Sequence, residues 1–213
     1  MINKSGLIVL VSVISIFACS IRSKVPETAK LETDIEAVMI YEEDGVNFGP
    51  CEPSIAINPK DPREMVAGSV LRLVHSSRDR GRTWRTSVLE SSLGVYGDPC
   101  VVSDATGKFY YFHLGDPEGT GWSSERFLES IVVQKSDNAG EKWSEGVAIG
   151  PNPPHQQDKE WAVVNPADNS LGVSWTEFDE YGSKSDSCFS RILFSRSADF
   201  AESWSEPVII SNV

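Results

Sequence analysis

The sequence predicts an all-β fold, a β-propeller of four-stranded antiparallel blades with about three blades present. Three observations lead there. A nine-residue pattern ending in tryptophan returns twice at nearly constant spacing, each copy falls between the third and fourth of four short apolar runs, and no window sustains the apolar period of a helix. Four-stranded antiparallel units repeated radially are the blades of a propeller, which typically closes with four to eight of them.

The pattern is "SSRDRGRTW" (76–84), "KSDNAGEKW" (135–143) and "RSADFAESW" (196–204), and its serines Ser77, Ser136 and Ser197 stand 59 and 61 residues apart. Each copy is a turn by its chemistry. The serine hydroxyl and the side chains of Asp79, Asn138 and Asp199 accept from backbone N–H groups that a short loop leaves unpaired. Gly81 and Gly140 accept a positive φ that other residues resist, so Ala201 in the third copy predicts a more strained turn. Trp84, Trp143 and Trp204 open the following strand, and a large aromatic surface there predicts a buried peg that anchors the turn to the core.

The strands follow in order. The first unit offers 54–58, 64–69, 71–76 and the run from Trp84; the second 100–104, 108–114, 130–135 and the run from Trp143; the third 161–165, 170–178, 191–196 and the run from Trp204. Turns such as "NPKDP", "DATGK" and "PADNS" join the first two strands of each. Blades are expected over 36–213.

The N-terminus reads differently. "GLIVLVSVISIFA" (6–18), preceded by Lys4, is too short to span a bilayer and has the layout of a signal peptide over 1–18. The polar stretch 19–35 lacks apolar periodicity and reads as a tether. Removing 1–18 leaves 18 basic against 31 acidic residues. So acidic a chain, without basic clusters interleaved with aromatics, argues against nucleic acid as a partner. Of the remaining cysteines, Cys51 and Cys100 lie near the starts of repeats and form the favoured disulfide pair, leaving Cys188 odd. Unpaired buried cysteines acting as small hydrophobes are the equal alternative.

With these residues in view, the chain resembles the sialidase superfamily. The three turns look like its Asp boxes, also called bacterial neuraminidase repeats (77–84, 136–143, 197–204), and "EPSIAINPKDP", "GDPCVVSDATGKFYYFHL" and "DKEWAVVNP" resemble bacterial sialidase-like surface proteins. The resemblance covers 48–210 and implies a six-bladed propeller whose boxes sit away from the catalytic mouth. "SIFAC" (15–19) resembles a bacterial lipobox, which implies cleavage before Cys19, a lipid on that cysteine, and a place on the cell envelope.

Function is expected where blades converge, on the loops "NFGPCEP", "GVYGDPC" and "PNPPHQQDKEW" that lead into the innermost strands. They carry Glu52, Asp98, Asp158 and Glu160, with Lys159 and His155. Carboxylates there serve as general acid/base groups, as ligands of a hard cation such as calcium, or as strand-end caps. Asp98 is the best acid/base candidate, and Glu52, Asp158, Lys159, Glu160 and His155 are binding candidates. No cofactor is required, and His155 lacks a His/Cys partner at zinc-like spacing. The resemblance also implies an arginine triad opened by a Phe/Tyr-Arg-Ile-Pro motif, which is absent; Arg78, Arg80, Arg82 and Arg85 cluster at the first box instead. Three readings follow: a surface-anchored glycan- or protein-binding propeller that does not hydrolyse sialosides; an exo-α-sialidase or related glycosidase with catalytic residues in further blades; a scaffold or fragment able to associate through open sheet edges.

Overall fold

The computed structural model describes residues 37–42 and 50–212, so the signal segment, Cys19 and the tether lie outside the described residues. Among the described residues twelve strands form three separate four-stranded antiparallel sheets. Blade 1 comprises β1 (Ser54–Ile57), β2 (Met65–Ser69), β3 (Leu73–Ser77) and β4 (Arg85–Val88). Blade 2 comprises β5 (Cys100–Ser103), β6 (Phe109–Leu114), β7 (Ile131–Ser136) and β8 (Val147–Ile149). Blade 3 comprises β9 (Gln156–Val164), β10 (Leu171–Phe178), β11 (Ser190–Ser197) and β12 (Val208–Ile209). In each sheet the strands pair in chain order, and the first strands β1, β5 and β9 stand side by side. This is the predicted propeller-blade architecture; the one helical element among the described residues is a single 3-10 turn at Gly121–Ser123.

Blade 2 explains why "FYYFHL" is apolar without interruption. Both faces of β6 are covered, and alternate residues go to opposite sides. Phe109 and Tyr111 pack with Val66 and Val74 of blade 1, while Tyr110, Phe112 and Leu114 pack with Leu171, Val173 and Trp175 of blade 3. Two cores result, one at each blade interface. At a coefficient of about 25 cal/mol per Å² of apolar area, these interfaces supply the main favourable term.

The three recurring turns share one hydrogen-bond plan. Gly81, Gly140 and Ala201 donate their N–H groups to Ser77, Ser136 and Ser197 Oγ at 2.9, 3.0 and 3.0 Å. Thr83, Lys142 and Ser203 donate to the Asx carboxyl or amide oxygen two residues after that serine, at 2.9, 2.9 and 3.0 Å. The indoles differ. Trp84 and Trp143 Nε1 donate to Gly81 and Gly140 O, whereas buried Trp204 Nε1 has no partner. Ala201 holds φ +64° with its methyl buried, which is the strained turn expected.

The three tryptophans are mostly though not fully buried, as expected of pegs: Trp143 meets Tyr111 of its own blade edge-on at 5.7 Å, and Trp204 of blade 3 meets Phe112 of blade 2 at 5.9 Å. The arginines of the first turn are exposed, and Arg78 of blade 1 also donates to Asn138 O and pairs with Glu141 in the turn of blade 2. Lys135 of blade 2 binds Phe200 O and Glu202 of the blade 3 turn in the same manner.

Candidate functional site

The site is built on one repeated backbone position. Glu52, Asp98 and Lys159 each stand two residues before Ser54, Cys100 and Trp161, and each holds a left-handed backbone, with φ of 50°, 50° and 51°. Cross-blade hydrogen bonds establish the equivalence: Ser54 Oγ accepts from Val101 N–H at 2.9 Å, and Cys100 Sγ accepts from Ala162 N–H at 3.3 Å. A non-glycine residue takes this conformation at a cost of about 1–2 kcal/mol, so three copies in register mark a built feature.

Blade 3 reaches the position differently. Its first strand begins at Gln156, five residues before the predicted Trp161, and the segment expected as a loop is largely strand. Lys159 and Glu160 bulge opposite Trp175 alone, between the pairs Asp158–Thr176 and Trp161–Ser174. A bulge breaks the period-2 alternation and re-aims side chains, which hid this strand end in the sequence.

The left-handed residues direct three side chains from three blades to one point. Lys159 Nζ lies 3.3 Å from Asp98 Oδ2 and 3.8 Å from Glu52 Oε2. The Glu52 and Asp98 carboxyls come close enough to hydrogen-bond, which raises the Glu52 pKa, with burial and the Asp98 charge adding to the shift. Such a contact between two acids is complete only when one carries a proton. Asp158 accepts from the Lys159 backbone N–H at 2.8 Å. Its pKa is raised, first by burial and then by the Asp98 charge, despite a hydrogen bond from Tyr181. Burial works against the Lys159 ammonium, yet Asp98 and Glu52 outweigh it and raise its pKa.

Glu160 is 1% exposed, and neither of its carboxylate oxygens has a hydrogen-bond partner. It stands where blades 1 and 2 carry Pro53 and Pro99. Burial pushes its pKa well above the ordinary 4.5, and the charges of Asp98 and Asp158 push the same way. The proton-bearing form is the one that such a site accommodates.

Beside these acids lies a cavity of about 210 Å³ lined by Glu52, Asp98 and Asp158 on one side and by Tyr96, Trp122, Phe127 and Tyr181 on the other. Two long connections supply most of this aromatic wall: 115–130 after β6 and 179–189 after β10. Trp122 packs on Phe127 at 4.9 Å and on Tyr181 at 5.5 Å, and Tyr96 meets Phe127 edge-on at 4.8 Å. Trp122 nonetheless keeps 70% of its surface exposed. The Tyr181 hydroxyl stays protonated, its pKa raised by burial and then by the Asp158 charge.

Five of the six predicted site residues therefore meet: Glu52, Asp98, Asp158, Lys159 and Glu160. His155 does not line this cavity. It lies 3.4 Å from Asp179, in a network where Arg191 joins Asp179 to Glu177 and Asn152 donates to Glu177 at 2.9 Å. Among the described residues Cys51, Cys100 and Cys188 are all free, which corrects the favoured Cys51–Cys100 pair. Cys100 is buried at the interface of blades 2 and 3, its thiol pushed up to about 11 by burial, while Cys51 is exposed. Among the described residues no three side chains of His, Cys, Asp or Glu gather closely enough to hold a metal ion; the Lys159 ammonium lies between Glu52 and Asp98 instead.

No family model matches the chain, and no curated protein matches it. Solved structures do match in fold. An α-L-arabinanase of Penicillium chrysogenum complexed with arabinobiose aligns with a TM-score of 0.56 at 15% identity, over 77% of this chain and 50% of that one. A Hadza microbial sialidase aligns at 0.54 and 17% identity, over 73% and 36%. A protein of unknown function from Dyadobacter fermentans aligns at 0.59 and 12%, over 80% and 53%. The chain spans about half or less of the length of these structures. At such identities the likeness is one of fold, and the fold is the β-propeller.

Proposed function

We propose that the chain is a sialidase-like propeller domain that binds glycans at the mouth formed by Glu52, Asp98, Asp158 and the aromatic wall, without hydrolysing sialosides. One observation carries this reading: Trp122 keeps its ring exposed beside Tyr181 and Phe127 at the edge of a carboxylate-lined cavity. A large exposed aromatic at the rim of a concave site offers an apolar face to the C–H face of a sugar ring, while carboxylates accept its hydroxyl hydrogens. The arabinobiose-bound arabinanase and the sialidase of like fold support a carbohydrate ligand. The turns at 77–84, 136–143 and 197–204 belong to this reading as Asp boxes, with a structural role. Glycan-array binding tests it: the full chain should retain neutral or amino sugars, and Trp122→Ala should lose them. Equal binding by the variant would refute it.

The proposal includes export and attachment through a lipid on Cys19, so the glycan partner lies on the envelope or outside it. A fatty-acid analogue should label the wild type and not Cys19→Ala.

A second reading, an exo-α-sialidase or related glycosidase with Asp98 as acid/base, draws on the Glu52 and Asp98 carboxyls set side by side at the cavity. Charge argues against a sialoside: two unit charges 4 Å apart repel by about 4 kcal/mol at an effective dielectric near 20. Release of a fluorogenic group from a sialic acid glycoside that vanishes in Asp98→Asn would favour the second reading over the first.

A further inference from the structure

We infer that the cavity takes a ligand bearing an ammonium group, seated between the rings of Tyr96, Trp122 and Tyr181 and the carboxylates of Asp98 and Asp158. This rests on the glycan-binding reading and narrows it to amino sugars.

The wall supplies the first reason. Four aromatic rings converge on one space of about 210 Å³, and their faces carry the negative side of the ring quadrupole. A cation within about 6 Å of a ring centre gains roughly 0.5–1 kcal/mol when exposed and about 2 when desolvated.

The floor supplies the second. Three carboxyl-bearing residues line the cavity and no basic side chain does. Lys159 sits beside two of them, Asp98 and Glu52, and ion-pairs with both. Asp158 takes hydrogen bonds only from a backbone N–H and the Tyr181 hydroxyl, and the Lys159 charge is the weakest of the influences on it. Buried Glu160, without a partner on either oxygen, stands close enough to feel the charges of Asp98 and Asp158. Among the described residues the nearest basic group, Lys159, is paired with Asp98 and Glu52, and the half-buried Asp158 carboxylate faces the cavity with no ion-pair partner of its own. An ammonium there supplies both charge and N–H donors to the carboxylates beside the rings. An acetylated amine brings neither charge nor the compact donor set, and an anionic sugar meets like charge.

The test is calorimetric titration of the full chain at neutral pH with D-glucosamine, N-acetyl-D-glucosamine, a methyl glycoside of sialic acid, and choline. Glucosamine should bind about tenfold tighter than its acetylated form, the factor made by 1.4 kcal/mol. Asp158→Asn should shrink that ratio to about twofold or less, and Asp158→Glu should keep it, which separates lost charge from lost fold. Trp122→Ala should weaken both sugars, and glucosamine the more, because only it loses a cation–π contact. Acetylated or anionic sugars binding as tightly as glucosamine would overturn the inference while the glycan reading stands. Choline binding without any sugar would support an ammonium site and overturn the glycan reading. Binding of none of the four would overturn both.

Discussion

At the outer turns Asp79 and Asp199 accept backbone N–H and hydroxyl hydrogens, and those bonds hold both carboxyls down to about 2. At the mouth Asp158 and Glu160 are shifted the other way, burial being the first cause for both and the Asp98 charge adding to it, and neither oxygen of Glu160 has a well-formed hydrogen bond. The same chemical group is satisfied in one region and deprived in the other. The turns repeat both residue types and bonds, whereas the mouth repeats only backbone: Glu52, Asp98 and Lys159 share one left-handed φ and differ in side chain. Repetition of side chains marks what each blade needs in order to fold. Repetition of conformation with divergent side chains marks where one scaffold carries different chemistry.

The largest effect that tests this contrast is at a turn. Trp143→Ala should destabilise the protein by about 3 kcal/mol, at the low end of the range for a buried tryptophan because the ring is not fully buried. Denaturant unfolding measures it, and ligand affinity at the mouth should be unchanged under folding conditions. A loss of affinity in a fully folded variant would show that turn and mouth are coupled, and the comparison would break.

At the mouth, Glu160→Gln should stabilise. The folded pKa of Glu160 is raised above the ordinary 4.5, so between those values the folded state binds the extra proton and stability falls as pH rises. The glutamine variant escapes that loss. Its advantage should be near zero below pH 4.5 and grow with pH to about 1–3 kcal/mol, the cost of leaving a buried polar group unsatisfied. For the turns the sign reverses: Asp79 and Asp199 support stability above the ordinary 3.8, and that support fades as pH falls toward 2. Urea unfolding of wild type and variant across pH separates the two limbs. A pH-independent difference would place the Glu160 proton elsewhere.

The two regions were also unequally legible in the sequence. Turns were readable because Ser, Asx, Gly and Trp act within nine residues, and the blades because strand and turn signals are local. Glu52 and Asp98 were readable as positions, since each precedes a first strand, whereas Asp158 and Glu160 lie inside the strand that the sequence reads as a loop. Their convergence was not readable, because it depends on a backbone angle at Glu52 and Asp98 and on a bulge at Lys159 that no short pattern announces. Trp122 and Tyr181 lay in connections without a repeat. The only available signal was that 115–130 and 179–189 are long for hairpin loops, a feature that often accompanies function. The Cys51–Cys100 pairing failed because proximity to repeat starts says nothing about side-chain direction, and Cys100 points into the next blade.

The smallest effect concerns the one turn that departs from the others. Ala201→Gly relieves an L-residue held at φ +64°, a gain of about 1 kcal/mol. It also removes a methyl that is 1% exposed within the core between blades 2 and 3, a loss of about 0.8 kcal/mol. The two nearly cancel, so the net change should lie within about 0.5 kcal/mol of zero. Gly140→Ala has no such balance. It places a Cβ 2.9 Å from Val66 at φ +79°, adding crowding to strain, and should cost about 1–2 kcal/mol. Glycine at 201 would also let its carbonyl turn toward Trp204 Nε1, as Gly81 and Gly140 O do for Trp84 and Trp143. A gain clearly above 0.5 kcal/mol, with a blue-shifted indole emission, would show that the orphaned indole rather than the methyl decides the energy of the third turn.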